Sequence, residues 1–415
     1  MGSFSTPLSG LTSAQEQLQS VSNNLANIDT NGYKSQTLTF SDIFLQTGVV
    51  NGSGDQVQIG SGVSVSSTDS NFTEGNLSAT GTASNMAISG NGFFVTQAAD
   101  GTQDFTRAGD FTTNHAGQLV TPSGELVLGY PAVNGVVNPS GTLQPLQVGS
   151  ATSPAVASTM VGITANLDSD SDIGTTAPSS TLSIYDSLGA AHTLSVSYTK
   201  TAAGTWSYTA TVPSADMVAG TTGDTVVGTG TLIFNGSGQL DPTSTINPIS
   251  IPTLADGANV PLALAGPFGT VANPTITQTA MASSTSAATT DGLASGTLAN
   301  SNFTVQPDGT IEGTFTSGAT LALGQVAVAS FANYQGLASL GNNDYHASAA
   351  SGSAVIGQAG TGGRGTIVGG NVEQSNVDIA TEFAKLIVAQ QAYSANAKSI
   401  TTFNTLSQAT LAMIQ

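Results

Sequence analysis

The 415-residue chain has no cysteine and very few charged residues. Without cysteine there is no disulfide framework, thiol nucleophile or thiolate metal site, and a reducing or an oxidising compartment would be equally tolerable. Charged residues make up 7% of the chain, whereas soluble proteins carry roughly 25%. Ser, Thr, Asn, Gln and backbone groups must therefore provide most of the polar surface that contacts water, which is unusual for a free cytosolic enzyme.

Basic residues and long apolar runs are also scarce. Six Lys and Arg stand against 25 Asp and Glu, for a net charge of -19. Because no basic patch can neutralise phosphates, nucleic acid and anionic membranes are poor partners. No stretch reaches the roughly 18 apolar residues of a membrane helix, and the start "MGSFSTPLSG" lacks a basic n-region and an apolar h-region. We expect no membrane insertion and, if the protein leaves the cell, export without a cleaved signal peptide.

The N-terminal segment has the apolar period of a helix. Its stripe has a 3-4-3-4-3 spacing and consists of Leu11, Ala14, Leu18, Val21, Leu25 and Ile28. Thr6-Pro7 suits an N-cap followed by proline at the first helical position. Gly32, in the polar "DTNG", predicts the stop after the helix.

The C-terminal segment carries a second stripe with a heptad period. Its residues are Ile379, Phe383, Leu386, Tyr393, Ala397 and Ile400, and then Phe403, Leu406 and Met413. Ser375 and Asp378 offer a start like a capping box. Because the stripe shifts after Ile400 and Gln390 interrupts it, we expect a bend or a looser final turn. Residues 399–415 contain no charge, which predicts that this end is buried in an assembly.

Between the helices the sequence predicts strands. Met86 to Pro131 breaks into short apolar runs at Gly101, Gly117 and Gly124, as a β-meander would. Farther on, every second residue is apolar in a set that predicts strands with one buried face: Leu182, Ile184, Leu194, Val196, Tyr198, Trp206, Tyr208, Ala210 and Val212.

The predicted fold is mainly β with terminal α-helices. A heptad period is typical of helices that pair, so we expect the two ends to form an antiparallel coiled coil; packing of each helix on its own domain is the alternative. Loose Ser/Thr/Ala/Gly stretches near 149–159 and 280–296 suggest that one β domain is inserted in another. The expected division is 1–32 with 372–415 as the helical core, 33–70 with 363–371 as connecting segments, 71–148 with 298–362 as an inner β domain, and 149–297 as an inserted outer β domain.

The sequence offers only weak candidates for catalytic or ligand-binding residues. His115, His192 and His346 lie far apart in turn-like stretches, and we expect them to be exposed. Asp104, Arg107 and Asp110 are interpreted as a surface ion pair worth under roughly 1 kcal/mol. We therefore predict no enzyme, no cofactor and no metal.

One acidic stretch leaves a cation open. "DSDSD", Asp168 to Asp172, resembles the opening of a calcium loop. However, Gly174 falls one place late, and Ser179 stands where a glutamate would close the site. We expect a solvated loop, with a bound cation as the alternative.

Two terminal segments carry a family resemblance. "GLTSAQEQLQSVSNNLANIDTNGYKSQ" and "VEQSNVDIATEFAKLIVAQQAYSANAKSI" closely resemble the end signatures of bacterial flagellar rod and hook axial proteins, with Val372 in place of the usual leucine. "GNGFFV" and "FTRAGDF" are similar to the first β domain of that family. The matching motif residues are Asn23, Asn24, Ala26, Asn27, Gly32, Tyr33, Lys34, Ser375, Asn376, Val377 and Asp378.

Two further segments resemble the hook type within this family: "IYDSLGAAHTLSVSYTK" and "VASFANYQGLASLGNNDYHASAASG". The resemblance implies a structural subunit that self-assembles into a curved, flexible helical tube, the universal joint between rod and filament. Terminal helices would form its inner core and β domains its outer layers. Implied partners are further copies of the chain, the rod, the hook cap, the hook–filament junction proteins and the type III export apparatus.

The resemblance also implies a location in the extracellular part of the flagellum, at the basal body and hook. Phe40 and Phe44 in "FSDIF" resemble a short export element; a strand or linker anchor is the alternative. Another axial protein, such as the distal rod, is the nearest alternative function. A secreted acidic β-rich adhesin or hydrolase fits the composition but leaves the heptads unexplained.

Overall fold

A computed structural model describes residues 5–43, 46–50, 56–218, 223–270 and 273–413, with the backbone alone at 46–50, 56–59 and 300–302. Two α-helices lie at the ends of the described chain, α1 (Ser5–Ala26) and α2 (Ile379–Ala412). Strands dominate the part between them. The predicted fold class, mainly β with terminal helices, is confirmed.

The strands are short and numerous. From the N-terminus they are β1 (Gln36–Asp42), β2 (Gln46–Val50), β3 (Gln56–Ile59), β4 (Val63–Ser70), β5 (Leu77–Ala79), β6 (Met86–Ser89), β7 (Phe93–Gln97), β8 (Gln103–Thr106), β9 (Thr112–Thr113), β10 (Leu119–Val120), β11 (Leu126–Val133), β12 (Val136–Val137) and β13 (Gln144–Pro145). The middle of the chain adds β14 (Thr152–Ser153), β15 (Val161–Asp168), β16 (Thr176–Tyr185), β17 (Ala191–Ala202), β18 (Thr205–Val212), β19 (Thr225–Ile233), β20 (Ile249–Ile251), β21 (Leu262–Leu264), β22 (Gly269–Thr270), β23 (Asn273–Pro274), β24 (Ile276–Thr279) and β25 (Ser284–Thr290). The returning chain forms β26 (Gly296–Val305), β27 (Thr310–Phe315), β28 (Thr320–Ser330), β29 (Ala338–Gly341), β30 (Asp344–His346), β31 (Val355–Gln358), β32 (Thr366–Gly369) and β33 (Asn371–Glu373).

The chain divides into two compact units. Unit 1 comprises residues 1–149, 302–313 and 322–415, and unit 2 comprises residues 150–301 and 314–321. The division into four parts, with a helical core separate from an inner β domain, stays a prediction.

Unit 1 is built on antiparallel strands in the order β28-β11-β7-β8-β30-β29. The glycines at the predicted meander turns, Gly101, Gly117 and Gly124, all have positive φ, a conformation that glycine adopts without steric cost. Aromatic rings fill the core, with Phe105 and Phe331 edge to face at 4.8 Å. The returning strands β32 and β33 pair with β6 and β5.

Unit 2 contains the antiparallel sheet β16-β17-β18-β19 and the sheet β24-β15-β25. All the residues of the predicted alternating set are buried, so the period-two prediction is confirmed. Tyr208 packs edge to face on Phe268 at 4.9 Å. Both rings, with Trp206, belong to one continuous core, so unit 2 has an interior of its own.

The segment predicted as a connection, 33–70, forms strands as well. β1 pairs antiparallel with β4, and β2 with β3. Both α-helices also differ from prediction in detail. The described part of α1 begins at Ser5 and so includes Pro7 in its third position, and α2 runs without a break to Ala412, where we expected a bend after Ile400.

No α-helix in the described ranges is both long and apolar enough to cross a membrane.

Candidate assembly surface and its buried anchor

The terminal helices pack against each other in opposite directions. Asn24, near the end of α1, donates from Nδ2 to Glu382 Oε2 at 3.3 Å, near the start of α2. Fourteen residues earlier, a Cβ on Gly10 would lie 2.9 Å from the Asn396 side chain. The two contacts are equally spaced along both helices, so the antiparallel pairing expected from the heptads is confirmed.

The predicted apolar stripe of α2 is only partly covered: Leu386, Ala397 and Ile400 are half-buried. Within α2 the buried residues are Glu382 and Ala389. Ile379 and Phe383, placed on the stripe by their spacing, are exposed instead.

Most of the large apolar residues of α2 nevertheless lie outside the helix pair. Residues 401–413 are exposed throughout, with Leu406 at 63%, Leu411 at 64% and Met413 at 86%. The other exposed large apolar residues of α2 are Ile379, Phe383, Ile387, Val388, Tyr393 and Phe403. We call all of these the α2 apolar surface. On α1, Ala14 and Val21 are buried, whereas Leu11, Leu18 and Leu25 are half-buried; Ile28, in the turn after α1, is half-buried as well.

Asn24 ties the helix pair to the chain that follows. Its Nδ2 donates to Gln36 O (2.8 Å), and its Oδ1 accepts from Gln36 N (2.9 Å) and the Tyr33 hydroxyl (3.1 Å). This side chain is 1% exposed, and its amide is satisfied on both sides, as a buried polar group requires. Burial, followed by the charge of Glu382, raises the pKa of Tyr33, which keeps this hydroxyl a donor.

A buried ion cluster lies next to this network. Lys34 Nζ lies 2.6 Å from Glu373 Oε1, and Arg107 Nε lies 2.9 Å from Glu373 Oε2. The three side chains are between 0% and 3% exposed. Arg107 also donates to the carbonyl oxygens of Gly90 and Gly92 at 2.8–2.9 Å. We call Lys34, Arg107 and Glu373 the anchor triad, because it joins three distant stretches of unit 1.

The anchor triad corrects the interpretation of "DFTRAGDF". Arg107 was expected to form a surface pair with Asp104 or Asp110, but it is buried and pairs with Glu373, 266 positions away in the sequence. Burial lowers the pKa of Lys34, while the nearby Glu373 carboxylate opposes this effect. Glu373 and Glu382 are functional candidates that our motif reading did not single out, although Glu373 stands inside "VEQSNVD".

The other motif residues form the turn between α1 and β1 and the start of α2. Gly32 has φ +69°, and a Cβ there would lie 2.5 Å from Ala108 N, so only glycine fits. Asn376 Oδ1 accepts from Ser35 N at 2.8 Å, and its Nδ2 donates to Asn71 O at 2.7 Å. Asp378 is the N-cap of α2 and accepts from Thr381 N at 2.7 Å.

The remaining motif residues are less enclosed. Asn27 Nδ2 donates to Asn23 O at 2.9 Å and closes the last turn of α1, and Val377 N donates to Ser375 Oγ at 3.4 Å. Ala26 is exposed. Of the proposed export element, Phe40 is 36% exposed on β1, and Phe44 lies outside the described residues.

The histidines divide into three situations. His115 is exposed, as expected. His346 is exposed too but lies on β30, with Nδ1 2.8 Å from Asp104 Oδ1. His192 contradicts the expectation of an exposed loop residue: it is on β17 and only 6% exposed.

The "DSDSD" loop is closed by a lysine. Lys200 Nζ donates to Ser169 O at 2.6 Å and to Ser171 O at 2.7 Å. These carbonyls would otherwise be available to a cation, and the ammonium group satisfies them.

Four family models match consecutive parts of the chain. They are "Flagella basal body rod protein" at residues 4–34, "Flagellar hook protein FlgE/F/G D1 domain" at 87–164, "Flagellar basal body protein FlaE D2 domain" at 155–293 and "Flagellar basal body rod FlgEFG protein C-terminal" at 368–413. Each residue of the anchor triad lies in a different match: Lys34 in the first, Arg107 in the D1 domain and Glu373 in the C-terminal match.

Relatives match over almost the full length. The chain is 33% identical to the flagellar hook protein FlgE of Salmonella typhimurium over 414 residues, covering 96% of this chain and 97% of the relative. It is 32% identical to that of Treponema pallidum over 469 residues, covering 100% and 99%. The crystal structure of Helicobacter pylori flagellar hook protein FlgE2 aligns with a TM-score of 0.47 and 15% identity over 72% of this chain and 99% of that one. From the extent of these sequence matches, the chain belongs to the flagellar hook protein family.

Proposed function

We propose that the chain is a structural subunit of the bacterial flagellar hook and polymerises into a curved, flexible helical tube that acts as the universal joint between rod and filament. The observation that carries this proposal is the α2 apolar surface. Large apolar patches on a soluble chain mark places where another surface binds, because removing apolar area from water favours association.

The position of this surface favours another copy of the chain as the partner. The register set by the Asn24–Glu382 and Gly10–Asn396 contacts places Ser5, the first described residue of α1, level with about residue 401, as expected for antiparallel helices of equal rise. Beyond that level, Leu406, Leu411 and Met413 extend past the described part of α1. In a homopolymer every subunit presents the same helix pair, so one apolar surface repeated along the tube can be covered by its neighbours.

The anchor triad supports the same proposal mechanically. It fixes the turn after α1, the end of β8 and the strand before α2 to one another. Force applied to the helices then reaches the β strands of unit 1 through buried ion pairs instead of a mobile hinge. A tube that transmits torque needs such a rigid connection within each subunit.

The further elements of the proposal rest on the family resemblance. We expect the helices to form the inner core of the tube and the β strands its outer layers. The end partners are rod, hook cap and hook–filament junction proteins. The chain would reach its extracellular place through the flagellar type III apparatus without a cleaved signal peptide. The role is structural and not enzymatic.

Polymerisation of purified chain tests the proposal. Leu406→Ser with Leu411→Ser removes two exposed apolar side chains, so the subunit should stay folded but no longer form tubes. The matched control, Asn404→Ser with Gln408→Ser, changes two exposed polar residues of the same helical segment. Sedimentation and negative-stain images measure assembly.

The outcomes separate hook from its alternatives. Curved tubes of wild type and control, with none from the leucine variant, would support the proposal. Straight, rigid tubes would favour a rod-type axial protein. Normal assembly of the leucine variant would contradict the role given to the α2 apolar surface.

A further inference from the structure

Four side chains converge in unit 2 at a place that the proposed function does not use. His192 lies on β17, and Asp186 lies in the turn between β16 and β17. Asp216 ends the short 3-10 helix Ser214–Asp216, and Asp256 lies in the loop between β20 and β21. Three separate stretches of chain therefore bring one imidazole and three carboxylates together.

The local backbone holds these groups in place. Asp186 Oδ1 accepts from the backbone N of Leu188 (2.8 Å) and Ala190 (2.9 Å), which leaves Oδ2 facing His192. Ala255 N donates to Asp216 O at 3.0 Å, so the two loops that bring Asp216 and Asp256 are joined. The Asp186 carboxylate is thus oriented by main-chain contacts that do not depend on the imidazole, and the loops that carry Asp216 and Asp256 are held to each other.

The spacing of three ligand atoms suits a tetrahedral cation. His192 Nε2 lies 2.9 Å from Asp186 Oδ2 and 3.5 Å from Asp256 Oδ2. Zinc bonds to nitrogen and oxygen are about 2.0–2.2 Å long, and tetrahedral geometry then separates the ligand atoms by about 3.3–3.6 Å. The distance of 3.5 Å lies within this range and the distance of 2.9 Å lies below it. All three ligand atoms lie within 4.8 Å of one another.

The second nitrogen of the ring provides an independent observation. His192 is 6% exposed, and its Nδ1 is buried without a hydrogen bond. Asp216 Oδ2 lies 3.4 Å from it. If the Nε2 lone pair bound a metal ion, the ring proton would sit on Nδ1 and point to Asp216, which is the carboxylate–histidine–metal arrangement found around zinc. If Nε2 instead carried the sole proton, an Nδ1 lone pair would face a carboxylate; an imidazolium, with both nitrogens protonated, would face Asp186 and Asp216 without an ion.

Charge and access also suit a cation. Among the ion pairs of the described residues, those of Asp186, Asp216 and Asp256 involve no Lys or Arg, so their negative charges are balanced at most by one imidazolium. The side chains of Asp216 and Asp256 are 29% and 30% exposed. An ion can reach the site from solvent, and water can occupy the fourth position.

We propose that Asp186, His192 and Asp256 bind a divalent cation of the zinc type, with Asp216 accepting the Nδ1 hydrogen of His192. Imidazole with carboxylate ligands is a donor set that suits Zn²⁺. The ion would bind the β20–β21 loop to the β16–β17 hairpin and stabilise unit 2. This proposal stands apart from the assembly function, since it concerns the β strands of unit 2 alone.

The test uses the full chain, stripped with EDTA and titrated with Zn²⁺ by calorimetry. One Zn²⁺ per chain is expected, and Co²⁺ should give the absorption of a tetrahedral site. Asp256→Asn should abolish stoichiometric binding; because its carboxylate is partly exposed, this variant should fold. Asp216→Asn should weaken binding about 10- to 100-fold, as loss of an outer hydrogen-bond partner does.

The matched control is His346→Gln, which breaks a His–Asp contact of 2.8 Å outside the proposed site; its Zn²⁺ affinity should equal that of wild type. Zn²⁺ should also raise the melting temperature of wild type and not that of Asp256→Asn. No stoichiometric binding by wild type would overturn the proposal and leave an imidazolium held by carboxylates. Equal binding by wild type, Asp256→Asn and His192→Gln would overturn it as well, because the ion would then bind elsewhere.

Discussion

Removing the carboxylate of Glu373 is the sharpest test of the anchor triad. Glu373→Gln keeps the size of the side chain and an oxygen for Gly75 N, which now donates to Oε1 at 2.8 Å. It leaves the ammonium of Lys34 and the guanidinium of Arg107 buried together with no carboxylate between them. The variant therefore isolates the charge from the packing.

The expected loss is large because all three side chains are buried. At 2.6–2.9 Å, each ion pair has a gross attraction of about 6 kcal/mol at an effective dielectric constant of 20. Desolvation offsets much of this in the intact triad, whereas removing one partner of a buried pair typically costs about 3–5 kcal/mol. We expect a loss in that range in the free energy of unfolding of unit 1.

The pH dependence gives the expectation a sign. Burial already lowers the pKa of Lys34, and Glu373 opposes that shift, so Glu373→Gln should lower this pKa further. A lysine whose pKa is lower in the folded state destabilises the fold below its unfolded pKa of about 10.4. The deficit of the variant should therefore be larger at pH 6 than at pH 9.

Calorimetry and urea unfolding measure the loss, with Lys34→Met and the double variant completing a double-mutant cycle. Unit 2 has its own core, so its transition should not move and serves as an internal control. Glu16→Gln, at an exposed position on α1, is the matched surface control. A loss below about 1 kcal/mol, the range of exposed pairs, would refute the reasoning.

Two further predictions follow from the two units. In unit 1, burial and then the charge of Glu125 raise the pKa of Asp344 to about 7. The contribution of this carboxyl group to stability is complete below its unfolded pKa of about 3.9 and is lost as the pH rises through 7. Between pH 4 and pH 8 the free energy of unfolding of Asp344→Asn should therefore rise relative to that of wild type by up to about 4 kcal/mol. Urea unfolding at both pH values measures this, and a difference that is constant with pH would contradict it. In unit 2, Val156 N donates to Leu293 O at 2.9 Å, so a short Gly-Ser linker can replace residues 157–292. This variant should still form tubes, with altered curvature in electron micrographs. Loss of all tubes would show that unit 2 is required for assembly.

Local patterns predicted the strands well because their cause is local. A buried strand face requires an apolar residue at every second position, and Trp206, Tyr208, Ala210 and Val212 fulfil this within eight residues. The same alternation contained a signal that we missed. His192 is in phase with Leu194, which is fully buried, so its position on the strand predicted burial although its residue type suggested a loop.

The anchor triad could not be predicted in this way because its parts meet only in the folded chain. Arg107 has acidic neighbours three positions away on each side, and those neighbours made a surface pair the simplest interpretation. Burial of Arg107 depends on Glu373, which the returning chain brings to the end of β8. A motif signals such residues through their types, but it does not reveal which charges will pair.

The error on α2 is informative about assembly. Periodicity identifies a surface that avoids water without identifying what covers it. Within one chain, α2 meets α1 at the Asn24–Glu382 and Gly10–Asn396 contacts. Leu386 and Ile400 are half-buried, whereas many other large apolar residues of α2 stay exposed. Leu406 and Met413 are nevertheless seven residues apart, the spacing of a covered heptad face, and residues 401–413 carry no charge to keep them in water. If neighbouring subunits cover α2, its sequence should keep an apolar pattern even where its own fold leaves that pattern exposed. The pattern and the exposure together therefore favour the proposed polymer.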